Sequence, residues 1–235
     1  MTKISPHRPG IRALVPIKRF GAAKTRLAAM LGEEARSALA RAMMKDVLEA
    51  LSAAHGLDGI LVVTSDPAAR ALALANGCDI LDDPFEAGTN TAVVHGLRHL
   101  AGMGHAGALV VPGDIPFVTP REIETVLAAM AWNPIVLVPA RRDGGTNLLG
   151  LAGPTVIPPA YGPQSFARHI ASARNAGIEP LIFDLEGAAN DIDVPSDLDP
   201  RPVLGGSGRR TREILAEFAA APAVSEMRRQ ELSLP

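Results

Sequence analysis

The sequence predicts an α/β fold with a mainly parallel sheet, and three observations carry that expectation. Short apolar runs of strand length alternate with longer segments of helical periodicity, the order that right-handed crossovers generate. Turn-forming or carboxylate residues follow several of the runs, as in VVPGD and ILDDP. The apolar content, 47% of the chain, is mostly aliphatic with only 3% aromatic residues, which suits a helix-rich aliphatic core. A length of 235 residues is near the upper end for one domain, so one domain over residues 11–220 is expected. It would lie between a flexible N-terminus, 1–10, and a poorly ordered tail, 221–235.

Residues 11–17, IRALVPI, read as the first buried strand, and the loop KRFGAAKTRL follows. Residues 33–54 form a long amphipathic helix on Leu39, Met43, Val47 and Leu51, with Met43 and Met44 as packing residues. GILVV at 59–63 is a second strand, followed by a helix over 67–76 that Gly77 stops. A third strand spans 78–81, and Cys78 reads as a small core residue. A helix over 90–100, a strand over 107–111 and a helix over 119–130 come next. Strand 134–138 and the run LLGLA, joined by a loop containing Asp143, Gly144 and Gly145, suggest a hairpin-like return. Pro163 stands near the first position of a helix that ends at Gly177, with His169 as an ordinary packed or exposed helix residue. Strand 178–183, a Pro, Gly and Arg-rich linker at 200–210 and a helix at 211–220 complete the chain.

Composition removes several classes of function. The scarcity of aromatic residues argues against stacking platforms for RNA or single-stranded DNA, so no nucleic-acid partner is expected. The lone Cys78 excludes an internal disulfide and a cysteine-based zinc cluster. No run has the length of a membrane span and no secretory apolar segment opens the chain, so a cytoplasmic protein without a membrane partner is expected. The net charge of −2 hides an asymmetry: no acidic residue precedes Glu33, whereas Lys3, Arg8, Arg12, Lys18, Arg19, Lys24 and Arg26 do. An anionic ligand near the first strand explains this, and a basic leader accounts for Lys3 and Arg8.

The candidate site is read from strand ends. Asp114 follows the abrupt stop of the strand at 107–111, on the sheet edge where α/β proteins bind ligands, and a carboxylate there can hold Mg²⁺ against phosphate oxygens. A turn or a helix cap is the plainer use of the same residue. Lys18, Lys24 and Arg26, in a basic loop containing glycine, are candidates to grip a triphosphate; ordinary solvated charges are the alternative. The loop is not the GxxxxGK[ST] phosphate loop, so an ATPase or GTPase of that type is not supported. Gly88, Thr89 and Asn90 open a helix and suit a nucleotide, or else simply cap it. His95 and His99 have metal-pair spacing but lack the glutamate and third ligand of a zinc hydrolase. Thr146 and Asn147 flank a glycine turn, while Gly162, Ser165 and Arg168 surround the next helix N-terminus, a second anion site. Asp191 and Asp193 alternate by two, so in an extended segment both carboxylates point one way.

VPIKRFGAAKTRL, VVPGDIPFV, RRDGGTNLL, YGPQSFARH, NDIDVPSDL and GRRTREIL, in that order, resemble the CofC/FbiD guanylyltransferases over about residues 11–218. The resemblance implies a single-domain Rossmann-like nucleotidyltransferase fold of the GT-A/MobA-like kind, a mainly parallel mixed sheet flanked by helices. It implies transfer of GMP from GTP to a three-carbon phospho-acid, with pyrophosphate released, in the biosynthesis of the deazaflavin coenzyme F-420. The acid would be 2-phospho-L-lactate, phosphoenolpyruvate or 3-phospho-D-glycerate, which the spacing of residues does not separate. By motif, Asp114, Asp191 and Asp193 would hold two Mg²⁺ ions and Thr146, Gly162 and Ser165 the phospho-acid. Lys18, Lys24 and Arg26 would brace the triphosphate, with Gly88 and Asn90 toward the nucleotide. The glycine-rich GxGxR loop of related nucleotide-sugar pyrophosphorylases is replaced here by KRFGAAKTRL. A GT-A glycosyltransferase and a nucleotide-binding regulatory module are the competing readings, and a homodimer is compatible with any of them.

Overall fold

The structure, a computed structural model, describes residues 10–198 and 207–220. The N-terminal segment, most of the linker and the tail expected from the sequence lie outside the described residues. The chain runs β1 (Ile11–Ile17), α1 (Glu33–Ala53), β2 (Leu57–Thr64), α2 (Pro67–Ala75), β3 (Asp79–Asp82), α3 (Thr89–Gly102), β4 (Gly107–Val110) and α4 (Pro120–Met130). It continues through β5 (Ile135–Pro139), β6 (Thr146–Leu151), α5 (Ser165–Asn175), β7 (Leu181–Ile182) and α6 (Arg209–Ala220). The expected elements are present, with most boundaries displaced by a residue or two.

The strands form one sheet of order β3-β2-β1-β4-β6-β5-β7. β1 pairs in parallel with β2 and β4, whereas β6 runs antiparallel to both β4 and β5, so the sheet is mixed but mainly parallel. Side chains alternate across the pleat and divide the core in two. Ala13 and Val15 join the layer packed against α1, α2, α4 and α6, while Leu14 joins the layer under α3 and α5. Met43, Met44 and Cys78 are all buried, as the sequence suggests. The parallel strands β1, β2 and β4 end at one edge, and the antiparallel β6 begins there. That edge receives every segment of the site.

Two expectations need correction. The strand expected at 178–183 shrinks to Leu181–Ile182, because the Ile178 amide still closes α5 on the Ala173 carbonyl and Pro180 has no N–H for a ladder. The helix expected from Pro163 starts instead at Ser165. Gly162 (φ 113°) and Gln164 (φ 56°) lie in the left-handed region, a conformation incompatible with an earlier helical turn.

Local chemistry fixes the loops that reach the edge. Asp66 caps α2, accepting from the Ala68 and Ala69 amides, and its second oxygen accepts from the Phe20 amide at 2.8 Å, which moors the 18–27 loop. That loop folds as two 3-10 turns, Phe20–Ala22 and Thr25–Leu27, with Lys24 between them in the left-handed region. Glu122 completes a capping box with Thr119, and its other oxygen accepts from the Gly187 amide at 2.7 Å. Gly187 is required at that point, since a β-carbon would collide with the Phe117 carbonyl. The segment leading to Asp191 and Asp193 is thereby pinned beside the segment that carries Asp114.

Candidate active site

Asp114 and Asp193 converge on one lysine. Lys24 Nζ lies 2.8 Å from Asp114 and 3.6 Å from Asp193, with only 6% of its side chain exposed. Burial pulls its pKa down, yet Asp114, Asp193 and Asp191 together outweigh burial and hold the ammonium above its ordinary value. Arg26 pairs with Asp193 at 2.6 Å, and Arg142 with Asp191 at 3.2 Å. Asp191 is raised above the ordinary carboxylate value, first by burial and then by the like charge of Asp114. Crowded carboxylates of this kind gain from any additional cation.

Lys24, Arg26, Asp114 and Asp193 border a cleft of about 370 Å³ that Lys18 and Thr89 also line, whereas Asp191 lies outside its lining. Its size falls in the range of small-ligand clefts. Lys18 is exposed at its mouth and makes no ion pair among the described residues, whereas Arg19 pairs with Glu86 at 2.5 Å. The residues expected to meet a triphosphate therefore do meet in one place, but Lys24 and Arg26 are engaged by aspartates.

The residues expected to form a second anion site stand close to the aspartates. The Asp143 charge acts on Asp191, and the Gly144 carbonyl accepts from the Phe166 amide, so the 143–146 turn bridges the aspartates and the N-terminus of α5. Thr146 and Ser165 are brought together, the Thr146 amide donating to Ser165 Oγ at 2.9 Å, and both are buried. The Gly162 carbonyl accepts from the Ser165 amide at 3.1 Å. Arg168 is turned away to the carbonyls of Ala160 and Tyr161. Asn147 donates to the Ala188 carbonyl.

The opening of α3 differs from the sequence reading. Gly88 is the N-cap (φ 95°), with no side-chain cap, and Thr89 is the residue that lines the cleft. Asn90 spends its amide on Tyr161, donating to the carbonyl and accepting from the N–H, so it clamps the 160–162 loop. His95 packs edge-on against Phe85 at 5.8 Å.

Four residues important to this geometry escape sequence reasoning. Asp197 accepts from the amides of Asp193 and Val194 and meets Arg142 at 3.3 Å, shaping the aspartate loop. Arg142 gives no signal of its own in the sequence. Asp66 does, through the Asp-Pro start of a helix. The fourth, His169, is wholly buried with both ring nitrogens engaged.

Among the described residues no group of three or more His, Cys, Asp or Glu stands at metal-holding spacing. Asp114, Asp191 and Asp193, expected from the sequence to hold Mg²⁺ together, do not form such a group; Lys24 pairs with Asp114 and Arg26 with Asp193 instead, so the ion would rest on one or two of these carboxylates with water and substrate phosphates completing its shell. The crowding of Asp114 and Asp191 is the structural feature that such an ion would relieve.

An open sheet with acidic and basic groups converging at its carboxyl edge suits a nucleotide-binding α/β enzyme, and the comparisons place the fold among the nucleotidyltransferases. A solved structure from Desulfovibrio desulfuricans G20 with the nucleotide-diphospho-sugar transferase fold superposes with a TM-score of 0.75 at 20% identity, covering 92% of this chain and 97% of that one. A family profile described as "Guanylyl transferase CofC like" matches residues 11–233, and the chain belongs to that family. It is 42% identical over 199 residues to a phosphoenolpyruvate guanylyltransferase of Conexibacter woesei, covering 84% of this chain and 89% of the relative. It is 34% identical over 209 residues to a 3-phospho-D-glycerate guanylyltransferase of Phenylobacterium zucineum, covering 88% and 95%. The protein is a nucleotidyltransferase enzyme, and the glycosyltransferase and regulatory readings give way to guanylyl transfer.

Proposed function

We propose that this enzyme transfers GMP from GTP to the phosphate of a three-carbon phospho-acid, releasing pyrophosphate, as a step toward coenzyme F-420. The convergence of Asp114, Asp191 and Asp193 about Lys24 at a basic cleft is the observation that carries the reading. Phosphoenolpyruvate and 3-phospho-D-glycerate are the favoured acceptors, because relatives covering most of this chain bear those names.

Lys18, Lys24 and Arg26 bind and orient the β- and γ-phosphates, and Thr89 at the opening of α3 meets the nucleotide from the other wall. Asp114, with Asp191 and Asp193, would hold Mg²⁺, which neutralises charge on the triphosphate oxygens when bound. On GTP binding Lys24 would exchange carboxylate partners for phosphate oxygens. Thr146, Gly162 and Ser165 hold the phospho-acid so that a phosphate oxygen faces the α-phosphorus of GTP. That oxygen forms the new P–O bond, and the bond to pyrophosphate breaks. The acceptor is largely a dianion at neutral pH, its second pKa being about 6, so no general base is needed.

The test is pyrophosphate release by purified protein with GTP, Mg²⁺ and each of phosphoenolpyruvate, 3-phospho-D-glycerate and 2-phospho-L-lactate in turn. Release dependent on one acid supports the reading. No release with any of them refutes it.

A further inference from the structure

The hydrogen bonds around His169 fix a direction in the floor of the phospho-acid site. The Ala160 amide donates to His169 Nε2 at 2.8 Å. An amide N–H has no acceptor lone pair, so Nε2 must be unprotonated, and a neutral imidazole then carries its proton on Nδ1. Nδ1 lies 2.9 Å from Thr146 Oγ1, so it is the ring that donates and the hydroxyl oxygen that accepts. The Thr146 hydroxyl hydrogen is left free to donate elsewhere.

Ser165 is set in the same sense. Its Oγ accepts from the Thr146 amide at 2.9 Å, which again leaves the hydroxyl hydrogen to donate. Thr146 and Ser165 are 5% and 1% exposed and His169 is fully buried, so bulk water is not at hand to turn the hydroxyls round. Two hydroxyls whose oxygens are already occupied are donors by default, and they suit an anion.

The supports of the ring come from separate parts of the chain. Tyr161 packs edge-on against the imidazole at 5.3 Å, and Asn90 holds Tyr161 by both backbone groups. Burial, with the nearby charge of Arg168, lowers His169 to about 4, so the ring is neutral at physiological pH.

We propose that His169 is a positioning residue for the phospho-acid: held as the Nδ1–H tautomer by the Ala160 amide, it forces the Thr146 hydroxyl to donate to the carboxylate or phosphate of the acceptor. The inference rests on the proposed assignment of Thr146 and Ser165 to that substrate. His169 touches no reacting atom itself.

The test compares two variants in steady-state pyrophosphate release with phosphoenolpyruvate and with 3-phospho-D-glycerate. His169→Phe keeps a ring against Tyr161 and removes both hydrogen bonds. It is expected to raise KM for the acid at least about tenfold, as losing a bond to a charged group does, with KM for GTP within about twofold. In His169→Asn the side-chain amide can donate to Thr146 Oγ1 in place of Nδ1, and most of the lost acid affinity is expected to return. Combining Thr146→Val with His169→Phe should add little beyond Thr146→Val alone, because the histidine acts through that hydroxyl. The inference is overturned if a folded His169→Phe enzyme leaves KM for the acid unchanged, or if KM for both substrates rises in step with a fall in Tm and His169→Asn restores nothing. If wild-type enzyme turns over no acid and calorimetry detects no acid binding, the functional reading itself fails and takes the inference with it.

Discussion

The backbone amide of Ile192 donates to the carbonyl of Asp114 at 3.1 Å, joining residues 78 positions apart at the carboxyl edge of the sheet. Asp191 and Asp193 flank that bond, so one main-chain contact sets the aspartate loop against the Asp114 loop. The cluster of negative charge is therefore built into the fold and does not depend on ligand to assemble.

Lys24 is the counter-charge of this cluster. Lys24→Met should leave Asp114 and Asp193 facing each other, lowering stability by roughly 1–3 kcal/mol, less than for a fully buried pair because the Asp114 side chain is 36% exposed. For a chain of this size that is a Tm decrease of about 2–12 °C. KM for GTP should rise at least about tenfold, on the loss of one charged phosphate contact. Calorimetry and initial rates check the two effects separately.

Asp66 anchors the 18–27 loop, proposed to meet GTP, from outside the site. Burial would raise its carboxyl, but the amides of Ala69, Phe20 and Ala68 outweigh burial and hold it below the ordinary range. Asp66→Ala should cost about 1–2 kcal/mol as a lost cap and raise KM for GTP several-fold through the loosened Phe20 tether, with KM for the acid little changed. Asp66→Asn, which still accepts through its amide oxygen, should lie nearer to wild type.

His169 makes a pH prediction. Its folded pKa of about 4 lies below an unfolded value of about 6.5, so between these the unfolded chain binds more protons and stability falls as the pH is lowered. Its share of the loss is complete only below pH 4 and amounts to roughly 3 kcal/mol. Chemical denaturation of wild type and His169→Asn at several pH values between 7 and about 4 checks this: the variant should show the shallower dependence. Equal slopes would contradict it.

Much of this was legible in the sequence because periodicity depends only on near neighbours. The 3.6-residue spacing of Leu39, Met43 and Val47 and the β-branched runs of β1 and β2 are local facts, and those elements appear as expected. The strand at 178–183 was only partly so: Pro180 within it already argues against a full strand, but the Ile178 bond that finishes α5 belongs to the fold. Asp114, Lys24 and Asp193 could be nominated from loop chemistry, but their mutual pairing spans 90 positions or more and belongs to the topology. His169 and Asn90 show the limit most clearly. His169 reads as an ordinary helix residue and Asn90 as a nucleotide contact or a cap, and only the fold reveals that they hold the backbone of Ala160 and Tyr161, with His169 also meeting Thr146.

The most direct measurement is pyrophosphate release from GTP by wild-type and Asp114→Asn enzyme, assayed side by side with the preferred phospho-acid and saturating Mg²⁺. Removing one negative charge from the cluster should lower kcat by at least about a hundredfold, in line with loss of a principal electrostatic group, with Tm within a few degrees of wild type. Turnover in the variant equal to that of wild type would contradict a catalytic centre built on Asp114.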